Sequence, residues 1–367
     1  MLCNSGIIGA DHLSFNYSYL SNYPGVWNES SQWVAPYPLK FQQWYPELEA
    51  VYQYTSEITC NVTRQGYLGS EEARSQLGPV GSYCDTHMAC MLGSMPENIK
   101  SNQAASTIVL GLTPSILASL GPTVAEISLL SLRRPLLALL VSLGSPAIYP
   151  TRLVTYDNPF DVLKPNAGAL AVPRIKKYMW TISAVQYLLA SGAAVNVLWT
   201  SYQLGTRGVL LWACSTSYLP LVWSLTTVVI HVVAICALRI SLHRPKSPCS
   251  GQTRMESFKI ASMIQHEFQL SANGDGQRDF QGIQVGPVGV ALNFLATCMG
   301  YFHVIFGTII FSAHSLVGLT DATRVFFFYV LSALVCRVII YFETAGMRRV
   351  DESQTYMWIV QEKSRSD

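Results

Sequence analysis

Five carboxylates stand at the margins of long apolar runs: Glu126, Asp157, Asp161, Asp321 and Glu343. A membrane enzyme working by proton donation must draw its acid from such a position, so these five are the candidate catalytic residues. The apolar runs themselves hold no Asp or Glu. That weighs against a proton-coupled transporter and a membrane aspartyl protease. Asn196, His231, Asn293 and His303 do lie inside the runs. Such groups can act as bases or ligands, but more often they hydrogen-bond one helix to another, for about 1 kcal/mol. No Ser-His-Asp, Walker, His-Glu-x-x-His or Gly-x-Gly-x-x-Gly arrangement is present.

Cysteines offer the other chemistry. Cys3, Cys60, Cys84 and Cys90 precede the first apolar run. In an oxidising compartment four cysteines form two disulfides with three connectivities. Cys84 with Cys90 is the most local pair, and Cys3 with Cys60 then follows. The rival reading is zinc held by Cys84-x-x-His87-x-x-Cys90, for which no fourth ligand is evident. Disulfides are preferred, and neither a metal nor a cofactor is expected. Cys214, Cys236, Cys298 and Cys336 fall within apolar runs and read as small packing residues.

The elements that must position these groups follow from composition. Of the 367 residues, half are apolar and 13% are charged, against about 25% charged in an ordinary soluble domain. Residues 1–103 are polar and aromatic, and the remainder alternates apolar runs with basic stretches. This predicts a mainly α fold: a helical multi-pass membrane bundle preceded by a small, irregular, disulfide-capable ectodomain. Spans are expected at residues 104–121, 178–202, 208–238, 288–311 and 325–342. Residues 135–149 are short for a span and fit a re-entrant or interfacial element. The net charge of +2 gives no reason to expect a nucleic-acid partner.

Charge distribution orients the bundle. With 135–149 not crossing, 17 of the 24 Lys and Arg residues lie on one side. They are spread over the 122–177 stretch, the 239–286 loop and the tail beyond 342. The two opposite loops hold only Arg207 and Arg324. By the positive-inside rule this places the N-terminus outside and the C-terminus in the cytosol, in the plasma membrane or an endomembrane. The rival has six spans and both termini inside. Arg337, late in the last span, is expected to snorkel to the inner surface. Glycosylation acceptors agree with the first arrangement: sequons begin at Asn16, Asn28 and Asn61, all before the first span. Residues 1–15 have no basic start and no apolar core, so no cleaved signal peptide is expected.

Residues 15–54 carry twelve aromatics punctuated by Pro24, Pro36, Pro38 and Pro46. They suit either a small core stiffened by disulfides or a surface for a lipophilic small molecule or protein ligand. Between the first two spans, Arg133 and Arg134 are expected at the inner headgroup level, against anionic lipid, with an anion contact as the sharper reading. An amphipathic helix is expected around residues 256–270. Pro96-Glu97-Asn98-Ile99-Lys100, Gly111-Leu112-Thr113-Pro114-Ser115 and Leu132-Arg133-Arg134-Pro135 together resemble a group of fungal multi-pass membrane proteins with a cysteine-containing N-terminal ectodomain. The similarity runs from Cys84 onward and implies architecture, not chemistry. Three functions are consistent with the sequence. The first is a receptor-like, scaffold or accessory membrane component. The second is an intramembrane cyclase or isomerase acting on a prenylated metabolite, and the third is a transporter.

Overall fold

The computed structural model describes residues 40–149, 178–242, 267–271 and 286–366. Asp157, Asp161, Cys3, Asn16 and Asn28 lie outside these residues, as does most of the expected 256–270 helix. The chain begins with a cap of short helices: α1 (Glu49–Tyr54), continued by a π-helical turn (Thr55–Thr59), α2 (Asn61–Leu68), α3 (Glu71–Leu77) and α4 (Tyr83–Ser94). Ser70 and Ser82 accept hydrogen bonds from the third residue onward and start α3 and α4 as N-caps. Gly69, with φ of 101°, closes α2 in the left-handed conformation that Gly adopts without strain.

Next come α5 (Glu97–Leu120), α6 (Val124–Arg133), α7 (Pro135–Gly144), α8 (Met179–Arg207), α9 (Leu219–Leu242), α10 (Pro287–Ser312) and α11 (Leu319–Ser366). Five of them, α5, α8, α9, α10 and α11, are long and apolar enough to cross a membrane. Their outward faces are apolar, with Leu188 at 74% and Phe302 at 71% exposure. A water-soluble fold would bury such a surface. α10 packs between α9 and α5, α5 between α10 and α11, and α11 between α5 and α8. The fold is therefore the expected helical multi-pass bundle.

Several boundaries differ from the sequence reading, the first span beginning at Glu97 rather than at 104. The third span starts at Leu219 and not at 208, because residues 208–218 turn back. Val209–Leu210 (β1) pairs antiparallel with His314–Ser315 (β2) from the next loop on that side. The last helix is longer than 325–342 at both ends, and its apolar part runs over Leu319–Met347. It therefore includes Asp321 and Glu343, so the spans are not free of acids.

α6 and α7 form a hairpin inside the bundle. Thr123 and Glu126 close a reciprocal capping box at the start of α6. Pro135 opens α7, where its missing N–H costs nothing. α7 has 10 residues and is about 15 Å long, roughly half a hydrocarbon core. Its far end, Gly144, meets Cys336 and Ala193, where a Cβ would lie 2.7 Å from the Cys336 sulfur. The chain then bends back, and Tyr149 N–H donates to the Pro122 carbonyl at 3.0 Å. Residues 135–149 thus enter from one end and stop part-way.

The cap is not a detached domain. Phe41, Trp44, Tyr52, Met88 and Met91 share one core with Val209, Cys214 and Leu316 from the two loops beneath. Disulfides join Cys60 to Cys90 and Cys84 to Cys214. The expected Cys84–Cys90 pair is not formed, since both lie on α4 six residues apart. An α-helix separates such positions by about 9 Å along its axis and turns them to different faces, beyond disulfide reach. Cys214, expected inside a span, sits instead in the 208–218 loop.

Candidate functional site

The turn between α6 and α7 carries the most heavily bonded charge among the described residues. Arg134 is fully buried. Its Nη1 donates to Glu343 Oε1 at 2.8 Å and to Gln186 Oε1 at 2.5 Å. Nη2 donates to Ser183 Oγ at 2.5 Å, and Nε donates to the Glu267 carbonyl at 2.9 Å. The guanidinium also lies 5.2 Å from the Tyr187 ring centroid. Glu343 is 1% exposed and accepts further bonds from Gln186 Nε2 at 2.7 Å and from Ser271 Oγ at 2.6 Å. α8 brings Ser183 and Gln186, α11 brings Glu343, and residues 267–271 close the far side. Glu267 accepts from the main-chain N–H groups of Leu136 and Leu137, at 3.0 and 3.1 Å, and from Tyr187. A carboxylate there satisfies orphan donors at the positive end of α7. Arg133 donates to the Ser271 carbonyl at 3.0 Å.

The expectation that Arg134 meets headgroups is therefore corrected. In a low-dielectric interior a buried carboxylate fixes an arginine far more tightly than lipid contact would. Arg337 is corrected likewise. It donates to Glu126 Oε2 at 2.6 Å and pairs instead of snorkelling free.

Three of the five candidate acids are described, and all three hold structure together. Glu126 Oε2 accepts from Thr123 N at 2.9 Å as well as from Arg337. Asp321 is 2% exposed and accepts from Glu47 N at 2.9 Å and from Arg324 at 3.3 Å. Glu343 carries the bonds given above. The structure does not bring the three together. They sit at residues 321, 337 (through its pairing with Glu126) and 343 along α11, so Asp321 lies about 24–33 Å along the helix from the other two, which are themselves about 9 Å apart along it.

No protein family, curated protein or solved structure matches this chain.

The polar residues inside the bundle are mostly interhelical ties. Asn196 Nδ2 donates to the Phe328 carbonyl and to Ser332 Oγ, both at 2.8 Å, joining α8 to α11. His303 meets Thr226 Oγ1 at 2.8 Å through Nδ1, and its Nε2 donates to the Pro146 carbonyl at 3.0 Å. It thereby fixes α9, α10 and the segment after α7 to one another. Trp223 stacks on its ring at 4.9 Å and donates to its carbonyl at 3.0 Å. His231 is buried, and neither ring nitrogen has a hydrogen-bond partner among the described residues.

In the cap, the zinc alternative is excluded by the geometry. Cys84 and Cys90 are both in disulfides. The His87 ring lies between Ser56 Oγ at 3.0 Å and Thr63 Oγ1 at 2.9 Å. Burial, helped by Arg64, pushes its pKa down to about 4.

Sequence reasoning missed the residues that dock the cap. Glu47 Oε2 accepts from the Thr320 N–H at 2.7 Å and from that of Asp321 at 3.3 Å, capping α11 from outside the helix. Its Oε1 accepts from Asn102 Nδ2 at 3.0 Å. Asp321 returns the contact by accepting from Glu47 N. The result is a reciprocal capping clasp between residues 274 positions apart. The only local signal was the pattern Leu319-Thr320-Asp321, an acidic first turn.

Proposed function

We propose that this chain is a non-catalytic, receptor-like or accessory membrane component, with its cap as the ligand-facing part and α11 as the element that answers to it. The observation that carries this reading is the Glu47–Asp321 clasp. It fastens the cap to the N-terminal end of a single helix of 48 residues, about 72 Å long, which continues past the apolar section. A change in the cap's seating acts directly on the capping of that helix. The orientation that fits is cap outside and Ser366 in the cytosol, as the positive-inside count suggests. The resemblance to fungal multi-pass proteins with an ectodomain fits the same plan. A lipophilic small molecule or a protein is the ligand class suited to an aromatic cap.

The cyclase reading has less support, because each described candidate acid must break at least two bonds before it can donate a proton. The deciding experiment replaces Glu47 by Gln in cells that depend on the protein, with E126Q, D321N and E343Q alongside. The expected outcome is loss of the phenotype in E47Q at normal membrane abundance. D321N, which loosens the same clasp, should behave like E47Q, whereas in E126Q and E343Q activity should fall only in step with abundance. Full function of E47Q, or an acid variant present at normal levels yet devoid of a product the wild type makes, would overturn the reading.

A further inference from the structure

Where the cap meets the bundle, two basic side chains share one buried place. Lys40 is 2% exposed. Its Nζ donates to the main-chain carbonyls of Gly205 and, at 2.8 Å, Gly208, at the C-terminal end of α8. An ammonium has three hydrogens, so one remains. His314 is fully buried. Its Nδ1 donates to the Ile310 carbonyl at 2.8 Å, and its Nε2 has no partner among the described residues. The two side chains converge on Gly208: a Cβ there would lie 2.9 Å from His314 Cδ2, while its carbonyl holds Lys40.

Three hydroxyls elsewhere in the cap–bundle junction are also short of partners. Ser217 Oγ, Ser315 Oγ and Tyr45 Oη are buried and unbonded among the described residues. The Ser217 main-chain carbonyl packs against Gly205. Ser315 follows His314 on β2, so its side chain points to the opposite face. Arg207 lies 5.7 Å from the Tyr45 ring centroid, and Tyr67 accepts from the Lys40 main-chain N–H. The charged groups nearest this place are the basic Lys40, His314 and Arg207, with Asp321 of the neighbouring clasp acting on Tyr45. The acids of the neighbouring clasp, Glu47 and Asp321, are engaged with α11, Asn102 and Arg324.

We propose that this junction is a small-anion site, in which a monovalent anion of chloride size lies between Lys40 Nζ and His314 Nε2 and enters together with a proton on the imidazole. A buried cation needs a counter-charge, and a buried imidazole nitrogen needs a partner. One anion meets both needs. Its size is limited by the close approaches at Gly205 and Gly208. Left to themselves the two groups resist charge: burial brings Lys40 down to about 7, and burial with Lys40 beside it brings His314 down to about 4. An anion between them reverses this pressure, so uptake is favoured by acid.

The inference does not depend on the receptor-like reading and is tested on the purified full chain in detergent. Thermal midpoints are compared in sodium chloride and sodium gluconate at equal ionic strength, at pH 5.5 and pH 8. The expected result is a midpoint higher in chloride by about 3 °C at pH 5.5 for a chain of this size, with a smaller difference at pH 8. H314Q and K40M should abolish the increment, and K40R should keep it. If K40M does not fold, H314Q decides, since Gln can still donate to Ile310. Equal midpoints in the two salts at pH 5.5 would sink the proposal. So would a chloride increment that survives in H314Q.

Discussion

Arg134 and Glu343 form their ion pair with side-chain exposures of 0% and 1%. The two residues are 209 positions apart, and nothing local in either segment announces the other. The apolar runs were legible because hydropathy is summed over about 20 residues. A pair of single charges meeting across the fold leaves no such trace. Arg134 in Leu-Arg-Arg-Pro looked like a topological marker, and Glu343 lay just past the end of a hydropathy window. The pair predicts a specific pattern of stability. R134M should destabilise the protein by about 3–5 kcal/mol, because it strands a buried carboxylate. R134M/E343L should recover much of that loss, giving strong non-additivity in a double-mutant cycle read by thermal or denaturant melting.

His87 supplies a pH dependence at the same scale. Its pKa is about 4 in the folded cap and about 6.5 in an unfolded chain. Between these values the unfolded chain binds more protons, so stability is complete above about pH 6.5 and falls as the pH drops towards 4. The slope from this ring is at most about 1.4 kcal/mol per pH unit. H87Q, whose amide can still reach the Ser56 and Thr63 hydroxyls, should show a shallower decline than wild type in melting curves between pH 7 and pH 4. Parallel declines would contradict the assignment.

At the scale of elements, the loop between α8 and α9 shows where hydropathy misleads. Val209, Leu210, Leu211, Trp212 and Ala213 add an apolar stretch just ahead of α9, and its hydropathy suggests a helix that the structure does not form there. The signal that ends the run was present: Ser215-Thr216-Ser217 before Pro220, a polar turn ahead of a helix-opening proline. Reading it would have moved Cys214 out of the membrane and into the set of cysteines available for disulfides. The pairing makes a direct prediction. Peptide mapping under non-reducing conditions should recover the pairs Cys60–Cys90 and Cys84–Cys214, and a Cys84–Cys90 peptide would be incompatible with the fold. C214S should cost about 2–5 kcal/mol, seen as earlier proteolysis of the cap while the helical bundle persists. Residues 135–149, by contrast, read as too short to cross, and α7 within them has 10 residues; α6 ahead of them leaves no comparable signal in hydropathy.

For the whole molecule, composition and charge asymmetry were enough to define a five-helix bundle with a cap on one side. They could not show that the cap and bundle share a core, since that depends on Leu316 and Val209 meeting Met88 and Met91. The proposed orientation has its own check. Asn61 is exposed at the start of α2, so in a eukaryotic host an N61Q variant should lose a glycosidase-sensitive mobility shift. An unglycosylated wild type whose C-terminal tag is protected on the lumenal side would reverse the orientation.

The bond from Cys84 to Cys214 also sets an order of assembly. Its second cysteine leaves the ribosome only after α8, and the cap core takes Leu316 from beyond α10. Cap residues made first must therefore wait, unpaired and partly apolar, while four of the five spanning helices are threaded. A chain released before residue 316 leaves that core open, with its apolar surface exposed. The cap core thus closes only around a bundle that is nearly complete.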